Sequence, residues 1–356
     1  MPNIIKLFIF CLAGFTSILY PKECPGTTIP KIDIVFISTD STSINVKDFG
    51  AKGNGQTDDA ASMQMAIDYA SKHPTKNKVI IPAGTYLVSP IFLKSNIILI
   101  LSAHTILKAT NHYNEGDRLL NIVSQSNIKI FGNNGIITMD RSHYTSGEQR
   151  FGLWMNNASN IQVYNLTCEN CGGDGFCIGG LMAIPCRHIL LVNCNANNNR
   201  RNGLSITNAI DVTISGGTYS NSHGTAPEFG IDLEPDSQYE SLLNITIKGV
   251  TTQNNKGGGI SIAPGNLTKG LGSKELITIT IKNCKSIQDG KQGSILFANS
   301  GSAQKMLNGS IKITHLVVIN PQGSAINYLR WNKPNKPTIS LKNITVQNQG
   351  KISTLF

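Results

Sequence analysis

Apolar positions along this chain fall into short alternating runs rather than long helical ones. One run recurs, mostly opened by Asn, Asp or Ser and closed by Asn or Gly. It reads Asn127-Ile-Lys-Ile-Phe-Gly132, Asn160-Ile-Gln-Val-Tyr-Asn165, His188-Ile-Leu-Leu-Val-Asn193, Asp211-Val-Thr-Ile-Ser-Gly216, Asn244-Ile-Thr-Ile-Lys-Gly249, Thr278-Ile-Thr-Ile-Lys-Asn283, Ser310-Ile-Lys-Ile-Thr-His315 and Asn343-Ile-Thr-Val-Gln-Asn348. The start-to-start intervals are 33, 28, 23, 33, 34, 32 and 33 residues. A strand repeated in fixed phase at that period predicts a solenoid, in which each turn buries its apolar face against its neighbours.

A second strand family interleaves with the first, each member opened by a small residue. Alternation along a strand points Leu153, Phe176, Leu204, Ile231, Ile260, Ile295 and Ile326 inward. Trp154, Cys177, Ser205, Asp232, Ser261, Leu296 and Asn327 then form an outward, exposed ladder, whereas Cys194 and Cys284 fall in the core. Two or three short parallel strands per turn define an all-β parallel β-helix of about eight turns, from about residue 95 to 350. An open solenoid end exposes strand edges and apolar core, so it needs a cap. Residues 58–70 place Met63, Ala66, Ile67 and Ala70 on one helical face, with Thr57 or Asp58 as N-cap. This short helix is the expected N-terminal cap.

Composition agrees. The 34 Gly and 37 Asn among 356 residues suit a fold with a tight corner at every bend and exclude a helical bundle. A net charge of +10 favours anionic partners. The basic residues are scattered, with Arg200-Arg201 the one adjacent pair, which excludes a basic nucleic-acid arm and favours an acidic polymer. Residues 1–20, with Lys6 ahead of a short apolar run, read as a signal peptide. Residues 21–42 read as a linker and 43–350 as the β-helix, giving a secreted protein, extracellular or periplasmic, with no membrane contact beyond export. Of the cysteines left after export, five lie between 168 and 194; Cys168-x2-Cys171 lacks a second half, so no metal is assigned there. A disulfide among the five is expected after export, with its partners left open.

The stretch Ile44-Asn-Val-Lys-Asp-Phe-Gly-Ala-Lys-Gly-Asn-Gly-Gln-Thr-Asp-Asp59, the helix after it and Val79-Ile-Ile-Pro-Ala-Gly-Thr-Tyr86 resemble the opening of pectin-lyase-like right-handed β-helix proteins. The resemblance is to the branch of rhamnogalacturonases, polygalacturonases and epimerase-like pectate lyases, and with the repeats it covers residues 43–350. It implies a carbohydrate-facing role without choosing the reaction. The Asp-Asp turn, Gly-His-Gly and Arg-Ile-Lys of polygalacturonases are absent. Phe229-Gly-Ile-Asp-Leu-Glu-Pro-Asp236 resembles the Tyr-Gly-Phe-Asp-Pro-His turn of alginate epimerases, with Phe229 for the Tyr and Glu234 for the His.

Asp232 and Glu234 are the leading catalytic candidates. Two apart on one strand, they have Cα atoms roughly 6–7 Å apart. That suits an acid and a base flanking a glycosidic bond with water between them; carboxyl separations of about 6.5–9.5 Å accompany inversion. Ser205 and Thr207 below, and Ser261 and Ala263 above, leave a groove. The alternative is a solvated polar face. Expected substrate-binding residues are Arg200 and Arg201, which match a sugar carboxylate or sulfate, with His223, Glu228 and Lys256 around the same turn. Asp174 can bind a hydroxyl or Ca²⁺, or form its turn, Trp154 can stack on a sugar or cover the loop at 138–150, and Arg201 can instead pair with Glu228. Asp236 lies in a flanking loop. Loops at 138–150, 219–228, 236–243, 263–275 and 329–337 are expected to wall the cleft. The reading is a glycoside hydrolase acting on an acidic polysaccharide with no required cofactor. A uronate lyase or C5-epimerase, and a non-catalytic glycan-binding β-helix, are the alternatives.

Overall fold

A computed structural model describes residues 42–111, 113–179, 184–269, 275–299, 307–331, 337–348 and 351–354. The expected export segment at 1–20 and the linker up to residue 41 lie outside the described residues, as does Cys24.

Most middle turns carry three short strands. The second family of the sequence forms a separate nine-stranded parallel sheet, one strand to each of nine turns, starting at Ile91–Phe92 and ending at Ile326–Leu329. Its register is the one the alternation predicts: Leu153, Phe176, Leu204, Ile231, Ile260, Ile295 and Ile326 pair rung to rung. The first family and a third set of three-residue strands, such as Thr167–Glu169 and Thr218–Ser220, join in the larger sheet. β-Branched residues pack well on such a pleated, buried surface, and the stacked Ile128, Ile161, Ile189, Val212 and Ile245 are all buried.

Asparagine occupies the corners because it tolerates left-handed backbone. Asn127, Asn160, Asp211 and Asn244 all have φ between 54° and 60°. Their amides also bond from turn to turn, Asn127 Nδ2 donating to Asn96 Oδ1 at 2.9 Å and Asn160 Nδ2 to Asn127 Oδ1 at 2.7 Å.

The last turns depart from the repeat as read. Strands Glu275–Ile287, Leu307–Ile319 and Thr338–Asn348 each fuse the first and third families across the corner. Ser310 pairs with Thr338, and Asn343 lies opposite His315, its Nδ2 2.9 Å from His315 Nε2. Asn343 thus holds the place of a closing corner residue, not an opening one. Asn283, His315 and Asn343 keep the left-handed kink within the fused strands.

The capping helix spans Ala60–Lys72 and buries Met63, Ala66, Ile67 and Ala70. Its N-cap position is Asp59, one residue later than expected, because the Asp59 carboxylate turns back to accept the N–H groups of Lys52 and Gly53. Asp58 still accepts from Ala60 N at 3.0 Å. No described helix is long and apolar enough to cross a membrane.

Cys194 and Cys284 are in the core as expected. Cys177 is not exposed: it is 4% accessible. The whole outward ladder from Trp154 to Leu296 is buried: Trp154 and Cys177 pack with Phe151, and Leu296 with Phe229, Ala263 and Ala298. The six described cysteines are all unpaired thiols, against the disulfide expected among 168–194.

Candidate active site

The outward face of the nine-stranded sheet becomes a cleft where two loops close over it. Loop 138–150 is anchored from below. Arg200 donates to the carbonyl of Gly147 and, at 3.0 Å, to that of Thr145. Glu115 accepts the N–H groups of Glu148 and Gln149 at 2.7 and 2.8 Å. The loop lies so close that a Cβ at Gly173 would meet the Glu148 carbonyl at 2.2 Å. Loop 236–243 is gripped by the buried Glu240, which accepts the N–H groups of Asp236 and, at 3.0 Å, Ser237. Burial pushes Glu240 up to about 7.

Between these loops lies a cavity of about 100 Å³, lined by Glu148, Asp174, Asp232, Glu234 and Asp236 with Arg118 and Arg201. Asp232 stands at its floor, 2% accessible. Its Oδ2 accepts from Asn202 Nδ2 at 3.3 Å, and its buried Oδ1 has no donor. The Glu234 carboxyl is in side-chain hydrogen-bond contact with it. Two carboxyls in contact must hold a proton between them. Burial, and then the charge of Glu234, push Asp232 up to about 7, against the pull of Arg201 and Ser261. Burial likewise raises Glu234, against Arg201. The gap for a water expected between this pair is therefore closed.

Asn202 organises the floor. Wholly buried, it donates to Ser205 Oγ at 3.1 Å and accepts from Phe229 N at 2.8 Å. Asp174, 1% accessible, accepts from Ser205 Oγ at 2.7 Å, Asn202 N at 2.9 Å and Arg201 Nη1 at 3.1 Å. Burial raises its pKa although Arg201 pulls it down. Burial works against the Arg201 charge, but Asp174, Asp232 and Glu148 outweigh it and raise its pKa.

Asp232, Glu234, Arg201, Asp174 and Trp154 thus converge on one cleft. Trp154 is no open platform for a sugar: its Nε1 donates to Gly179 O at 2.9 Å and the Arg118 guanidinium sits 4.3 Å from the ring centroid. The other expected binding residues do not line the cavity. Arg200 is spent on the loop. Glu228 accepts from Gly224 N at 2.6 Å and Lys256 Nζ at 2.9 Å, so it pairs with Lys256 and not Arg201. His223 Nδ1 lies 2.8 Å from the Asn221 carbonyl, and Arg141 donates to the His223 carbonyl at 2.7 Å. Glu148 and Arg118 escaped the sequence reading. Glu148 was signalled only by the length of its loop, and Arg118 by nothing. No group of three or more His, Cys, Asp or Glu among the described residues is arranged to hold a metal ion.

Residues 43–140 match the family model described as rhamnogalacturonase A/epimerase, pectate lyase-like. Over those residues and in its fold the chain is similar to parallel β-helix proteins of the pectin-lyase-like kind. It is similar to the uncharacterized protein YclG of Bacillus subtilis (strain 168), 26% identical over 238 residues, 58% of this chain and 41% of YclG. An iota-carrageenase of Alteromonas macleodii is 34% identical over 92 residues, 26% of this chain and 19% of the enzyme. The solved iota-carrageenase from A. fortis shares the fold, with a TM-score of 0.59 at 13% identity, over 85% of this chain and 90% of that one. Stretches of 139, 111 and 105 residues are similar to an alginate lyase and a mannuronan C5-epimerase of Azotobacter vinelandii and an exo-poly-alpha-D-galacturonosidase of Dickeya chrysanthemi. Related proteins are thus carbohydrate-active enzymes of several reaction classes. The chain spans less than half the length of the curated relatives it matches.

Proposed function

We propose that this protein is a glycoside hydrolase that cleaves an acidic polysaccharide with the Asp232–Glu234 pair. The observation that carries the reading is that pair: two carboxyls in contact on the floor of a loop-walled cleft, holding a proton at neutral pH. Hydrolysis needs one carboxyl protonated to release the leaving oxygen and one ionised to activate water or attack the sugar. Asp232, the more deeply buried, is the acid; Glu234 is the base or nucleophile. The pair parts around the bound glycosidic bond.

Elimination or C5-epimerisation of a uronate needs a base at C5 and a cation on the sugar carboxylate. Arg201 is already engaged by Asp174 at 3.1 Å and Glu148 at 3.5 Å, which supports hydrolysis over those reactions. An acidic polymer is favoured by the net charge of +10 and by the similarity to carrageenase and to alginate- and galacturonan-directed enzymes. The test is Glu234→Gln assayed for reducing-end release on iota-carrageenan, alginate, polygalacturonate and mixed neutral–acidic polymers. The expected loss is about 10²–10⁴-fold on whichever polymer the parent protein cuts. Undiminished release would reject the pair, and no release from any polymer by the parent would reject hydrolysis.

A further inference from the structure

The charge inside the cleft is opposite to that of the chain as a whole. Five carboxyls line it against two guanidiniums. Both guanidiniums are already engaged through their Nη atoms, and the Nε of each, which has no hydrogen-bond partner, is buried. Arg201 bonds Asp174 and Ser205 and faces Glu148. Arg118 lies over the Trp154 ring and donates to Gln149 Oε1 at 2.7 Å and to the Gly116 carbonyl. Among the buried lining atoms without a partner, Asp232 Oδ1 and Thr207 Oγ1 can accept a hydrogen bond. Sugar hydroxyls donate hydrogen bonds, whereas a carboxylate or sulfate only accepts them. An anion in this cleft would also be repelled by Asp236 and by the charge that the proton-sharing Asp232–Glu234 pair keeps.

We propose that the sugar unit seated over Asp232 and Glu234 is uncharged and binds through its hydroxyls, and that the acidic groups of the polymer sit on units outside the cleft. This rests on the hydrolase reading and narrows it to polymers in which neutral units interrupt anionic ones. The +10 of the whole chain then acts on the flanking units, because the cleft takes an excess of acids out of the rest of the surface.

Two measurements test it. In the first, polymers with and without neutral units are digested, and the newly formed reducing end is labelled by borodeuteride and identified by mass spectrometry. A neutral sugar at the new end is expected. A uronate or sulfated sugar there overturns the inference while leaving hydrolysis standing. In the second, which does not depend on turnover, Trp154 fluorescence is followed during titration with galactose or galacturonate, and with glucose or glucuronate, at pH 8. Trp154 and Trp331 are the only tryptophans, so a Trp331→Phe background isolates the cleft signal. The neutral member of each pair should bind at least about ten-fold more tightly. Equal or tighter binding of the uronates, or no response to any of the four sugars, overturns the inference even if no polymer is cut.

Discussion

Replacing Asp232 by Asn should abolish activity and make the protein more stable. Asp232 is 2% accessible, its Oδ1 has no donor, and its ionisation is opposed by burial and by Glu234. A carboxyl moved from 3.8 to about 7 in the folded state costs nothing below pH 3.8. Its penalty grows as pH rises and reaches its limit above 7, where it is on the order of 4 kcal/mol. Asn keeps the acceptor for Asn202 Nδ2 and offers Glu234 a donor, so most of that penalty is removed. The variant should unfold with the same midpoint as the parent at pH 4 and several degrees higher at pH 8. Scanning calorimetry at both pH values, beside reducing-end assays, measures it. A variant destabilised at pH 8 would show that the carboxylate is a structural acceptor, and the reasoning from burial would fail.

Activity should fall as pH rises through about 7, where the pair gives up its last proton; a rate flat from pH 6 to 9 contradicts this assignment of the acid. Asn202→Ala should cost roughly 2–4 kcal/mol by urea denaturation, because it strips the buried Phe229 N–H of its acceptor and Ser205 and Asp232 of a donor. Arg201→Met should destabilise by about 3–5 kcal/mol by orphaning Asp174, and adding Asp174→Asn should recover most of the loss; independent effects of the two changes would mean they are not coupled.

The solenoid was legible because each turn solves the same local problem. An alternating run must bury one face, and a left-handed corner is mostly Asn, Asp, His or Gly, so residues such as Asn127, Asn160 and Asp211 mark the turns in the sequence itself. The ladder from Leu153 to Ile326 follows from alternation alone. The reading slipped at Asn343, where fused strands make a closing corner look like an opening one. The cleft was legible only in part. Asp232 sits on the strand Phe229–Leu233 and Glu234 one residue past its end, where its N–H still bonds the Ile206 carbonyl, so their direction could be deduced. Whether Trp154 and Cys177 face water depends on loop 138–150 folding over them, and that is decided by Arg200 and Glu115 reaching carbonyl and N–H groups far away in sequence. Lys256 and Glu228 lie around the turn that carries Asp232 and Glu234, yet they pair with each other instead of lining the cleft.

The central claim is that a proton-sharing carboxyl pair hydrolyses a glycosidic bond. It is tested most directly by incubating the protein with iota-carrageenan, alginate, polygalacturonate and mixed neutral–acidic polymers, recording reducing ends and the ultraviolet absorbance of unsaturated uronides in the same tubes. The account predicts reducing ends without absorbance on at least one polymer. Absorbance rising together with reducing ends would show elimination and contradict it.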